Sequence, residues 1–317
     1  MRRALLATAA IVLAVGVLAR DDGATRGWDC GTGGVPPHPE IGGELIYNCF
    51  TPATSTGFYL LDVATGKVRP LIVDHAWNVD PEWSPDGKRL AYVSTKDGQT
   101  DIYVMELASG AVTQVTSGGG WNGNPTWSPD GTWIIFDSGR EGTNPSKHQY
   151  FRNLYLVRPD GTDLRRLTAL PDYNGTPSWS PDGTRVAFTS DRSGDFELYT
   201  MAPDGTDQRN LIPLPGSHAR WSHDGSQILF HGHDPRDTSE DPVTVVSVIS
   251  ADASSPPRRL TDGRDFLPDW SPDERWVSFQ RLIGDRAELF VVPAAGGEAI
   301  RLTWDGSDKQ WARWRPR

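Results

Sequence analysis

The sequence has little cysteine and little methionine, two and three residues among 317. Two cysteines cannot frame a disulfide-built miniature fold, and alone they do not make a zinc site. Clustered basic residues are missing as well, and the formal net charge is -10. That excludes a nucleic-acid backbone as partner, because such binding draws on grouped Lys and Arg that release counterions from phosphates. There is no Gly-x-Ser-x-Gly elbow, no phosphate-cradling glycine loop, and no dinucleotide fingerprint between a strand and a helix. These absences remove the peptidase, nucleotide-hydrolase and dehydrogenase classes. Carboxylates are so common, 41 in all, that no one pair stands out as a catalytic couple.

One long apolar run exists, Ala4 to Ala19, preceded by Arg2 and Arg3 and followed by Arg20, Asp21 and Asp22. A basic start, a 16-residue hydrophobic stretch and small residues at its end read as a secretory signal. A membrane helix generally needs about 20 apolar residues, and an uncleaved N-terminal anchor stays open as the second reading. Residues 1–22 are thus expected to be signal or anchor, 23–42 a Gly/Pro-rich tail, and 43–317 the folded domain. The domain is expected in the periplasm or secreted, touching a membrane only through an uncleaved N-terminal segment. Outside the cytosol, Cys30 and Cys49 are expected to bridge and pin the tail to the first strand.

What is abundant is glycine, proline and tryptophan, 33, 25 and 13 residues. Their placement is periodic. Trp-Ser-Pro-Asp-Gly occurs at Trp83–Gly87, Trp127–Gly131 and Trp179–Gly183, with variants at Trp221–Gly225 and Trp270–Glu274 and a truncated copy at Trp314-Arg315-Pro316. The Trp-to-Trp spacings of 44, 52, 42, 49 and 44 residues match one four-stranded propeller blade. Within each unit the turn leads into an alternating apolar strand, such as Leu90–Val93 or Val186–Phe188. A third strand follows, such as Ile102–Met105, and the unit closes on Leu-Thr at Leu167-Thr168, Leu260-Thr261 and Leu302-Thr303. Period-two patterning between turn clusters requires strands.

Three N-terminal segments, Gly43–Phe50, Gly57–Val63 and Lys67–Ile72, lack an inner strand, and Trp311–Arg315 is an inner strand without a blade. Their pairing predicts an all-β fold, a six-bladed β-propeller of four-stranded blades with its ring closed by the two termini and no open edge. The repeat resembles that of the TolB family of periplasmic proteins over residues 43 to 317, and is shared in part with prolyl oligopeptidase-like propellers. The resemblance implies the propeller fold and a precedent for protein binding. It departs from the family's namesake, which carries a further N-terminal α/β domain.

Aligning the units on Trp exposes candidate binding residues. Six and five positions before it stand Trp77-Asn78, Trp121-Asn122 and Tyr173-Asn174, placed by the spacing in loops leading into three adjacent inner strands. Three positions before it stand Asp80, Asn124, Thr176, His218, Leu267 and Trp311. The aromatic-amide pairs either serve loop structure or form a rim platform for a protein segment or a cell-envelope polymer. Thirteen positions beyond the Trp, Lys96, Arg140, Arg192 and Asp234 define a second ring, whose basic members could hold a carboxylate or sulfate. His231-Gly232-His233-Asp234 places two imidazoles on one strand face. With His218, and with His75 and His148 in loops expected on the same rim, it offers the one set that could hold a divalent metal. That patch resembles the His-ligated metal of propeller lyases acting on pectin fragments, though those have seven blades. The reading preferred from the sequence is an exported, non-enzymatic binding scaffold with no cofactor; the alternative is a metal-dependent carbohydrate-active lyase or hydrolase.

Overall fold

The computed structural model describes residues 30–50, 56–118, 120–141, 143–144, 149–169, 172–234, 237 and 242–317. Among these residues there is no helix. Six four-stranded antiparallel sheets stand around one axis as blades. Blade 1 is Asp308–Trp314, Glu44–Phe50, Thr56–Asp62 and Lys67–Ile72, running from the axis outward. The inner strands of blades 2 to 6 are Asn78–Trp83, Asn122–Trp127, Asn174–Trp179, Ser217–Trp221 and Asp265–Trp270. A short hairpin, Thr143–Asn144 with Gln149–Tyr150, stands between the second and third strands of blade 3.

The repeated turn folds through its own side chains. In blade 2, Ser84 Oγ donates to Asp86 Oδ1 at 2.6 Å, the amide of Lys88 donates to that carboxylate at 3.1 Å, and Gly87 takes a φ of 62°. The same Ser–Asp bond recurs at Ser128–Asp130, Ser180–Asp182, Ser222–Asp224 and Ser271–Asp273. Asp fits because it accepts from the turn's own donors, and Gly because a left-handed φ carries no penalty without a Cβ. The closing Leu-Thr has an equally local cause. Thr168 Oγ accepts from the amide of Leu154 at 2.9 Å, and Thr116, Thr261 and Thr303 do the same for Ile102, Val246 and Leu289. The hydroxyl thus satisfies a third-strand amide in four blades.

Stacking of blades buries both faces of each sheet. Six apolar clusters result, one at each interface between neighbouring blades. The repeat tryptophans also clasp their neighbours. Trp127 Nε1 donates to Glu82 O at 3.2 Å, Trp270 Nε1 to Arg220 O at 3.2 Å, and Trp83 Nε1 to Arg313 O at 3.4 Å. The inner strand is longer than its predicted core. In blade 1 it begins at Asp308 rather than Trp311 and ends at Trp314.

Ring closure joins the two termini as the split repeat requires. Trp314 pairs with Leu45 and Asp308 with Phe50. Arg315 then ties Glu44, through Nη1 to Oε2 at 2.9 Å, to the Gly87 carbonyl of blade 2, through Nη2 at 2.9 Å. Cys30 and Cys49 form the expected disulfide. The tail beyond it lies on blade 1, where the amide of Val35 donates to Gly66 O and that of His38 to Val63 O, both at 2.9 Å. The segment expected to be signal or anchor lies outside the described residues.

Candidate functional site at the channel mouth

Each inner strand carries one irregularity at one place. Asp80, Asn124, Thr176, His218, Leu267 and Trp311, three positions before the six repeat tryptophans, all have positive φ, between 49° and 55°. Pairing with the neighbouring strand shifts register there in every blade. A bulge at each position re-aims the strand around the axis. Four of the bulged residues, Asp80, Asn124, Thr176 and His218, line a narrow cavity together with Arg220 and Arg313.

Five positions before the tryptophan, the structure corrects the sequence-based placement. Asn78, Asn122 and Asn174 are not loop residues; they open their inner strands and are fully buried, as are Asp265 and Lys309 at the same place. The side-chain oxygens of Asn122 and Asn174 bind within their own blades, and the Nδ2 groups of all three reach back to the preceding blade. Asn122 Oδ1 accepts from Ser138 Oγ at 2.7 Å and from Arg140 Nη2 at 3.1 Å, while its Nδ2 donates to Asp101 at 2.9 Å. Asn174 Oδ1 accepts from Ser190 Oγ at 3.0 Å and Arg192 Nη2 at 2.8 Å. Asn78 Nδ2 donates to Asp74 at 2.7 Å.

Arg140 and Arg192 are therefore brought to the asparagines they were aligned beside only by spacing. Each guanidinium also lies over a third-strand tyrosine, Arg140 at 4.6 Å from Tyr155 and Arg192 at 4.5 Å from Tyr199. Lys96 lies 4.1 Å from the ring of Tyr103, and Arg281 repeats the clasp in blade 6 with Asp265 and Phe290. Asp234 pairs with Arg259 at 2.6 Å. Arg140, Arg192 and Arg281 thus tie an inner-strand residue to a third-strand ring within each blade.

The aromatic members stay half-buried at the mouth and meet one another. Trp77 and Trp121 lie 5.4 Å apart, centroid to centroid. Arg152, just before the third strand of blade 3, sits 4.9 Å from Trp121 and 5.6 Å from Tyr173, and Tyr173 meets Phe196 edge-on at 5.1 Å. Glycines make the arrangement possible. A Cβ on Gly175 would lie 2.5 Å from the Tyr173 hydroxyl, and one on Gly123 would strike the Trp121 ring. The collar continues through Phe50 beside Trp311 and Phe266 beside His231.

Two of the candidate histidines meet ring to ring. His218 and His231 stack with centroids 4.8 Å apart, Nδ1 of His231 accepts the amide of Leu267 at 3.2 Å, and Nδ1 of His218 meets Ser217 Oγ at 2.9 Å. Among the described residues no group of three or more His, Cys, Asp or Glu that could hold a metal is found; of the candidate set His218, His231 and His233, the first two are brought together ring to ring. Burial lowers the pKa of His231 to about 3 and that of His218 well below its ordinary value, so both are neutral. His75 is exposed, and His148 lies outside the described residues.

The sequence matches the family described as the TolB beta propeller domain over residues 36–151 and 146–244. The chain belongs to the TolB β-propeller family. It is 38% identical over 117 residues to the Tol-Pal system protein TolB of Bordetella pertussis, covering 37% of this chain and 25% of that one. With the TolB homolog of Chlorobium luteolum it shares 50% identity over 44 residues, 14% of this chain and 10% of that one. Its aligned stretch thus spans a quarter or less of these relatives. The TolB structure from Acinetobacter baumannii superposes with a TM-score of 0.75 at 22% identity, over 89% of this chain and 68% of that one. An oligogalacturonate lyase in complex with manganese superposes with a TM-score of 0.54 at 17% identity, over 81% and 75%. At such identities the two structures establish a shared propeller fold.

On this TolB-like frame, the residues missed by sequence reading are ionic. One position before the repeat tryptophans stand Glu82, Thr126, Ser178, Arg220, Asp269 and Arg313. Glu82 of blade 2 reaches across the axis to Arg220 of blade 5 in a two-bond pair at 2.9 and 2.8 Å, and Arg313 of blade 1 joins it at 3.3 Å. Nearer the mouth, Arg152 pairs with the fully buried Asp137 at 2.9 Å. The signal was a column of charges in a buried strand, where unpaired charge is costly and partners must come from other blades.

Proposed function

We propose that this chain is an exported, non-enzymatic scaffold that binds a protein segment across the mouth of its channel. The carrying observation is the half-buried run Trp77, Trp121, Arg152 and Tyr173, which spans three blades above a polar cavity. Aromatic and arginine side chains are enriched where proteins bind each other, because they give large contact area with few bonds to order. Export is supported by the N-terminal basic and apolar pattern and by the disulfide, which persists in oxidising compartments. No helix among the described residues is long and apolar enough to cross a membrane. Kinship with Tol-Pal system proteins favours a protein as partner over an envelope polymer.

The asparagines and Arg140 and Arg192 support the collar from behind in this reading, and the aromatic rings with Arg152 make the contact. A photo-crosslinking amino acid in place of Trp77 should capture one envelope protein in cells. Trp121→Ala and Tyr173→Ala should each reduce that adduct at least tenfold while leaving the melting temperature within a few degrees. Undiminished capture by both folded variants refutes the collar as binding surface.

A further inference from the structure

We propose that the channel beneath the collar holds a single primary ammonium group, taken up by the carboxylate of Asp80. This deepens the binding reading above by naming a ligand chemistry for the cavity, and relies on that reading only for the group's source.

Asp80 lines the cavity with Asn124, Thr176 and His218, and is 7% exposed. A carboxylate can accept about four hydrogen bonds. Among the described residues Asp80 accepts one, from the amide of Asn124 to Oδ2 at 3.2 Å, while its buried Oδ1 meets no donor. Its acidic neighbours are satisfied. Asp137 accepts from Arg152, from Asn124 Nδ2 at 2.7 Å and from the amide of Thr176 at 3.2 Å. Glu82 holds two arginines, and Asp269 accepts from the amide of Trp314 at 2.8 Å in the field of those same arginines.

Around the channel, Asp80, Glu82, Asp137 and Asp269 face Arg152, Arg220 and Arg313, beside the neutral His218 and His231. Four carboxylates against three guanidiniums leave one negative charge; neither Asp80 nor Asp269 has an ion pair among the described residues, and of the two only Asp80 keeps a buried oxygen without a donor. Space selects the cation. The cavity is narrow, about 20 Å³, room for about one water-sized group. An ammonium head is of that size and a guanidinium is not. One carboxylate with neutral oxygens beside it suits a monovalent charge.

A lysine side chain of the bound segment and a free amine share this chemistry. The test titrates the whole folded domain, with Asp80 observed by carboxyl ¹³C chemical shift. The probes are ethylammonium chloride, potassium chloride, acetyl-lysine methylamide and its neutral norleucine counterpart. Saturable shifts are expected with ethylammonium and the lysine derivative and not with norleucine; the Asn124 amide, which bonds Asp80, should shift with them and stay unmoved in Asp80→Asn. Binding should weaken about tenfold from pH 7 to pH 5, because burial raises the Asp80 pKa to about 6. A tighter response to the lysine derivative points to a partner side chain, and a tighter one to ethylammonium points to a free amine. Equal saturation by potassium, or no shift with either amine, overturns the proposal. Trp121→Ala should abolish segment capture yet keep the ethylammonium response, so the two readings fail separately.

Discussion

Asp80→Asn is expected to make the protein more stable at neutral pH. In the folded chain, burial pushes the Asp80 carboxyl up from 3.8 to about 6; the Asn124 amide and the charges of Arg313 and Arg152 pull the other way, and Asp137 adds to the rise. A carboxyl whose folded pKa is raised binds protons more tightly when folded. Its ionisation therefore removes stability as pH climbs from about 4 to about 6. A difference of about two units is worth at most about 3 kcal/mol at pH 7. Asparagine keeps the Oδ acceptor for the Asn124 amide and removes the charge. Urea unfolding of both proteins at pH 4, 5, 6 and 7 should show near-equal stability at pH 4 and a growing advantage for the variant up to pH 7, with unchanged m. Other ionisations are common to both chains and cancel in the difference. A pH-independent difference, or a variant weaker at pH 7, refutes the view of Asp80 as an uncompensated buried charge.

Two further outcomes test the ring. Trp127→Ala should cost about 3–5 kcal/mol, since Trp127 is 5% exposed and its indole binds Glu82 O. Trp179→Ala should cost clearly less, because Trp179 is only half-buried and its Nε1 has no partner; equal losses in thermal or urea unfolding would contradict the clasp. Deleting Gln310–Arg317 removes most of the inner strand of blade 1 and should expose the edge of Glu44–Phe50, sharply lowering the melting temperature and promoting association in light scattering. A truncated chain as stable and monomeric as the full one would disprove closure by this strand.

The architecture was legible because it is written in local chemistry repeated along the chain. Ser-Pro-Asp-Gly makes its own turn, Leu-Thr satisfies its own third-strand amide, and the spacing counts the blades. The split repeat at the ends even named its closing partner, since Leu45 and Trp314 lie opposite one another. Trp77, Trp121 and Tyr173 were visible for the same reason, as one column of the repeat. Their contact with Arg152 was not, because Arg152 precedes another strand and has no counterpart in the column.

Burial of the asparagines depended on where the inner strand begins, and the bulge after it sets that point through pairing rather than through propensity. The histidines show a comparable limit: alternation put His231 and His233 on one face, but stacking on His218 and the Leu267 amide settled what the ring of His231 does. Sequence alone thus determined the blade, the ring and the aromatic column, all products of interactions within one repeat. Only tertiary structure decided the ionic network across the axis. Glu82, Arg220 and Arg313 come from three blades far apart in the chain, and their charges are matched only when the closed ring brings them together in a space that excludes most water.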